Sequence, residues 1–268
     1  MLAALSPARR RFAVVVLVVT LAIIAAVAVS VLRRLEAQEV RPVAQDRPGP
    51  VLLVPGYGGS TRALERLAGS LRVLGRDATV VALAGDGTGD LREQAEVLDA
   101  VVEDTLARTG AESVDVVGYS AGGVVARLWV RDYGGANLAR RVVTLGSPHH
   151  GTGVAGLGGD LAPDQCPEAC QQLVPDSDLL RALNAGDESP AGPRFISIWT
   201  ADDETVTPPD SARLDGAVNI EVQSICPASQ VSHGALPTDP VVAALVALEL
   251  GSEPAATPST RACARLSS

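Results

Sequence analysis

The chain has 268 residues, enough for one domain of enzyme size with short extensions, and 47% of them are hydrophobic, mostly Val, Ala and Leu with two Phe and one Met. That composition suits strands covered on both faces by helices, and it argues against a disordered chain or a scaffold held by disulfides alone. The net charge is −9, with arginines scattered beyond the N-terminus, so no basic face is available for a phosphate backbone and nucleic acid is not an expected partner.

At the start, Arg9, Arg10 and Arg11 precede an uncharged apolar run from Phe12 to Leu32. A run of that length matches the roughly 20 residues a helix needs to cross a bilayer, and the positive flank belongs in the cytoplasm. Ala26-Val27-Ala28 resembles a small-residue cleavage site, whereas the length of the run and the Arg33-Arg34 pair after it favour an uncleaved anchor. Residues 1–32 are therefore expected to be a cytoplasmic stub with a transmembrane helix, or an export signal. The protein is then placed at the cell membrane as a single-pass chain with an extracytoplasmic catalytic domain, or secreted if the segment is cleaved. The polar, Pro-bearing stretch 33–50 reads as a linker.

From residue 51 to 250 short β-branched runs alternate with helical stretches, the signature of βαβ units and a mostly parallel, doubly wound sheet. Strands are expected over Val51–Val54, Ala78–Ala84, Ser113–Val117, Arg141–Leu145 and Arg194–Trp199. Leu64, Leu67, Ala68 and Leu71 share one helical face between Ser60 and Leu74. Leu91, Ala95, Leu98, Val102 and Leu106 do the same between Asp90 and Thr109. A final helix follows His233. The Ser-, Thr-, Pro- and Ala-rich end, 251–268, reads as a flexible tail apart from any tie through Cys263. The cysteines, at 166, 170, 226 and 263, form no paired metal knuckles, and their even number fits two disulfides in an oxidising compartment. Three connectivities exist. The spacing favours Cys166 with Cys170 and Cys226 with Cys263, although the sequence does not choose among them.

The run Val114–Val117 leads into Gly118-Tyr119-Ser120-Ala121-Gly122, a G-x-S-x-G between a strand and a helix that starts near Gly123. That context suits a strained turn presenting a serine, with glycines where side chains would clash. Serine needs a base, and the chain has three histidines. His149 and His150 follow the strand 141–145 too early to leave room for an acid, and they read as a loop near the rim of a site. His233 leaves that room and is the candidate base. The acid is sought after the strand Arg194–Trp199, where Asp203 begins a D-x-x-V-x-P pattern ending at Pro208, with Asp202 and Glu204 as neighbouring alternatives. Two N–H donors are needed for an oxyanion, and they are assigned to Ala121 and Tyr57, the latter in the loop Pro55-Gly56-Tyr57-Gly58-Gly59. That loop is not a phosphate loop, since no Gly-Lys-Ser or Gly-Lys-Thr follows. Asp160, Asp164, Asp176 and Asp178 lack calcium-loop spacing, so no metal is expected. The stretch 153–193 reads as a cap or rim.

Taken together, the glycine loop after the first strand, the elbow Gly118–Gly122, the segment Gly146-Ser147-Pro148-His149-His150-Gly151-Thr152, the acid loop at Asp203 and the His233 segment resemble one bacterial lipase and esterase family. It includes the small secreted lipases of Bacillus and the class 2 lipases of actinobacteria. The resemblance runs from residue 51 to about 250, and Pro55 stands where many relatives have His. It implies the α/β-hydrolase fold, a Ser120-His233-Asp203 triad and hydrolysis of fatty-acyl esters without a cofactor. A cell-envelope acyltransferase or thioesterase on the same triad is the alternative, with a non-catalytic anchored binding module further off. The expected partners are an acyl-ester or lipid substrate and the membrane through the N-terminal segment, and a monomer is expected.

Overall fold

Valine-rich runs without polar alternation become strands buried on both faces. In this computed structural model, which describes residues 40–153 and 166–267 together with 16, 18–21 and 23–24, the strands are β1 (Val51–Val54), β2 (Ala78–Val80), β3 (Val114–Tyr119), β4 (Ala139–Leu145), β5 (Arg194–Trp199) and β6 (Val218–Glu221), of which β1, β3, β4 and β5 are buried over nearly their whole length. They form one sheet in the order β2-β1-β3-β4-β5-β6, every pair parallel. The helices are α1 (Arg62–Val73), α2 (Leu91–Thr109), α3 (Ala121–Asp132), α4 (Glu168–Gln172), α5 (Asp178–Leu183), α6 (Val222–Ile225), α7 (Pro240–Glu249) and α8 (Cys263–Leu266).

Successive strand residues point to opposite faces, and the core divides accordingly. Val51 and Leu53 of β1 join Leu64, Leu67 and Leu71 of α1 and Val242, Leu245 and Val246 of α7 on one face. Leu52 and Val54 join Leu98 and Val102 of α2 and Val124, Val125 and Trp129 of α3 on the other. The chain moves from β1 outward to β2, then back across β1 to β3 and onward. The winding therefore reverses between β1 and β3, and open α/β sheets bind their ligands beyond the carboxyl ends of the strands at such a point. The Gly-rich loop after β1 and the elbow after β3 both lie at that point.

The second strand stops at Val80 rather than Ala84. Val81 still donates to Leu53 O, but the Gly85 and Gly87 that follow take positive φ and carry the chain off the edge. β6 was not expected: only Ile220 of its four residues is buried, so the pattern is too short and too polar to register. The C-terminal end is not a loose tail over its whole length. Ala262 and Leu266 are buried in the core, and Arg141 donates to the carbonyls of Glu249 and Glu253. Isolated apolar residues in a polar stretch carry too little periodicity to announce such docking. The disulfides are Cys166–Cys170 and Cys226–Cys263, each with Cα atoms 5.2 Å apart, and the second ties α8 to the end of α6.

At the amino ends of the strands lies a charged cluster in which Asp115 and Arg140 are fully buried and Arg76 partly so. Arg140 Nε and Nη2 donate to the two oxygens of Asp115 at 2.9 and 2.7 Å, and Arg76 Nη2 reaches Asp115 Oδ2 at 2.6 Å. The same guanidiniums donate to Gln45 O, Gly49 O, Leu250 O and Gly251 O, joining the entry to β1 with the exit from α7.

The chain divides into two compact units, Met1–Val40 and Arg41–Ser268. In the first, residues 16, 18–21 and 23–24 are helical and exposed, and Thr20 Oγ1 donates to Val16 O at 2.8 Å. Among the described residues no helix is long and apolar enough to cross a membrane. The expected span Phe12–Leu32 lies for the most part outside the described residues, as does the first part of the expected cap, 154–165.

Candidate active site

β3 ends on Tyr119, and the chain enters α3 through Ser120 at φ 52°, ψ −126°. A serine holds so sparsely populated a conformation only where its surroundings over-determine it. Here they do. A Cβ on Gly118 would lie 2.5 Å from Gly123 Cα, one on Gly122 would lie 2.2 Å from Val54 O, and Ser120 N–H donates to Leu145 O at 2.8 Å. The turn is thus clamped between β1, α3 and the end of β4. Ala121 opens α3, so its N–H has no carbonyl within the helix and faces outward at the positive end of the helix dipole.

The loop after β1 closes on the same serine. A Cβ on Gly56 would stand 2.9 Å from Ser120 Cβ and 3.5 Å from Ser120 Oγ, so glycine is what admits the backbone there. Gly58 N–H donates to Gly87 O at 3.3 Å, which fastens this loop to the one after β2. Tyr57, between them, is 44% exposed, and burial and the charge of Asp86 raise its hydroxyl pKa.

His233 and Asp203 meet although 30 residues separate them: His233 Nδ1 lies 2.7 Å from Asp203 Oδ2, and both side chains are buried. Asp203 Oδ1 accepts N–H bonds from Thr205 at 2.9 Å and Val206 at 2.7 Å. The turn that follows Asp203 therefore fixes the carboxylate, and the carboxylate fixes the imidazole. With its Nδ1 proton held by Asp203, the ring offers Nε2 as an acceptor. Of the neighbouring acids, Asp202 is exposed and takes a bond from Gln223 at 3.2 Å, and Glu204 is exposed as well. Ser120 Oγ makes no hydrogen bond to His233 among the described residues; such contacts often tighten only around a substrate. Gly146, at φ 55°, completes the cradle, since a Cβ on it would stand 3.1 Å from His233 Nδ1 and 3.2 Å from Asp203 Oδ2.

The other two histidines behave differently from each other. His149 is not on a rim; it is fully buried. Ser197 Oγ donates to Ala212 O, so Thr144 Oγ1 donates to Ser197 and must accept from His149 Nε2, 3.1 Å away. Its Nδ1 is left as a bare acceptor without a partner. Burial first, then the charges of Arg127 and His150, holds its pKa well below the usual imidazole range, so the ring stays neutral. His150 is partly exposed, with Nε2 2.8 Å from Glu188 Oε1 and Nδ1 3.2 Å from Ser211 O.

Sequence reasoning passed over Tyr119 and Gly146. Tyr119 occupies the variable position of the elbow motif, and nothing local marks its contact with a residue 114 positions away. Among the described residues no group of three or more His, Cys, Asp or Glu side chains could hold a metal ion.

A six-stranded parallel sheet, an elbow serine at positive φ and a buried His–Asp pair beyond the carboxyl ends define an α/β-hydrolase. The class 2 lipase family is matched over residues 93–244, more than half of the chain, and the chain belongs to that family. Among solved structures, Aspergillus fumigatus lipase B is similar with a TM-score of 0.66 at 20% identity, over 76% of this chain and 52% of that one. Bacillus licheniformis lipase BlEst2 in its propeptide form is similar with a TM-score of 0.64 at 21% identity, over 82% and 53%. Its mature form gives 0.56 at 21% identity, over 68% and 84%. At such identities the likeness is one of fold, and the chain spans about half the length of the first two. A sequence search of curated proteins gives no match.

Proposed function

We propose that this protein is an extracytoplasmic serine hydrolase that cleaves carboxylic, fatty-acyl esters, with Ser120 as nucleophile, His233 as base and Asp203 as the group that orients it. The observation that carries the reading is the 2.7 Å His233–Asp203 contact, buried on the same edge of the sheet as the strained Ser120. Family membership and the fold support the same chemistry.

In this reading His233 Nε2 takes the Ser120 proton as Oγ attacks the acyl carbon, and the imidazolium formed is stabilised through Nδ1 by Asp203. The carbonyl oxygen gains charge as the tetrahedral intermediate forms, and the N–H groups of Ala121 and Tyr57 receive it; each such donor is worth about 3–4 kcal/mol. His233 returns the proton to the leaving alcohol, and water, deprotonated in turn by His233, releases the fatty acid. The catalytic domain is assigned to 51–250, with 33–50 as linker and Phe12–Leu32 as a membrane tether or export signal. The two disulfides are consistent with a site outside the cytoplasm.

The test is a fluorophosphonate probe with p-nitrophenyl esters of increasing chain length, on the full chain and on Ser120→Ala. Labelling and turnover that both vanish in Ser120→Ala support the assignment. Equal labelling of a folded Ser120→Ala protein would remove Ser120 as nucleophile.

A further inference from the structure

Asp203 holds His233 at one atom, Nδ1, and leaves its main chain and ring plane to other contacts. The residue just before the nucleophile supplies the rest. Tyr119 is the last residue of β3 and is half-buried; its hydroxyl donates to the backbone carbonyl of His233 at 3.3 Å. Its ring lies against the imidazole, with centroids 5.2 Å apart and planes tilted by 35°. One side chain thus grips both the main chain and the ring of the same histidine. It does so from the strand that ends in Ser120, so any shift of the elbow is carried to the base.

We infer that Tyr119 is a positioning residue for His233: its hydroxyl fixes the segment that carries the base, and its ring supports the imidazole while that ring is positively charged. This rests on the reading of Ser120, His233 and Asp203 given above. The electrostatic part follows from the chemistry of the step. When the Ser120 proton reaches Nε2, the imidazole becomes a cation packed against an aromatic face, an attractive arrangement. The hydroxyl stays protonated throughout, because burial, with the charge of Asp203 adding to it, raises its pKa to about 12. It therefore remains a donor to the His233 carbonyl over the whole working range of pH.

Two substitutions separate the hydroxyl from the ring. Tyr119→Phe keeps the ring and removes one hydrogen bond, and it is expected to lower kcat about 3–10-fold with KM unchanged. Tyr119→Leu removes both and is expected to lower kcat further and to displace the acid limb of the kcat/KM–pH profile toward lower pH, since the imidazolium loses its aromatic neighbour. The readouts are kcat and KM for p-nitrophenyl butyrate, the pH profile, and circular dichroism to show that each variant is folded. Wild-type kcat in folded Tyr119→Phe, together with an unmoved acid limb in Tyr119→Leu, overturns the inference. If Tyr119→Leu does not fold, Tyr119→Phe alone decides it. Ser120→Ala and His233→Ala are assayed alongside. If they retain turnover, the triad reading fails. If they abolish turnover while Tyr119→Phe matches wild type and the acid limb of Tyr119→Leu is unmoved, only the positioning role fails.

Discussion

The two ends of the sheet handle buried charge in opposite ways. At the amino ends Asp115 meets Arg140 and Arg76, and both of its oxygens are taken by guanidiniums. Burial pushes its carboxyl pKa up, while Arg140 and Arg76 pull against that. At the carboxyl ends Asp203 is equally buried, but its partners are two backbone N–H groups and one histidine. The first arrangement is a closed circuit whose remaining donors go to main-chain carbonyls at both ends of the domain. The second passes its last interaction to an imidazole that still has a nitrogen to offer. A buried acid with saturated partners holds the fold together; one that orients a group with an open valence equips a site.

Breaking the open end should cost the most in rate and little in stability. Asp203→Asn is expected to lower kcat about 10⁴-fold, because an amide can donate to Nδ1 and stabilise the wrong tautomer, while the urea midpoint stays close to wild type. Breaking the closed end should do the reverse. Asp115→Asn leaves the buried Arg140 and the partly buried Arg76 without a counter-charge and is expected to lose about 3–5 kcal/mol in urea unfolding, with kcat per folded molecule within roughly twofold of wild type. A large rate loss in Asp115→Asn, with stability intact, would erase the contrast.

The smallest effect sharpens the comparison within the amino-end region. Burial, set against the charge of Arg141, raises the Glu249 pKa from 4.5 to about 7. The folded protein therefore binds a proton between those values that the unfolded chain has released. The contribution of Glu249 to stability is fully present below pH 4.5 and is lost as pH rises through about 7. Melting temperature should fall by roughly 5–10 °C across that window, and Glu249→Gln should flatten the slope. An unchanged slope in Glu249→Gln would assign the dependence to another group.

The elbow was legible because its requirements are local. A serine at positive φ between close-packed backbones demands glycine at 118 and 122, and those demands appear in sequence as a motif after a β-branched run. The choice of Asp203 over Asp202 and Glu204 rested on a six-residue pattern, and the turn it describes, in which the N–H groups of Thr205 and Val206 bind the carboxylate, is local too. Burial of His149, the docking of Ala262 and Leu266, and the pairing of β6 depend on which surfaces meet across the sheet, and short stretches carry no record of that.

The sequence by itself determined the parallel α/β architecture, the elbow, and which serine, acid and histidine to consider, since periodicity and backbone strain act over a few residues. Only the tertiary structure decided that Tyr119 grips His233, that Gly146 must be small beside the His–Asp pair, and that Asp115 is the saturated acid. Each of those is a contact between residues far apart in the chain, and its energy comes from burial that exists only once the sheet is assembled.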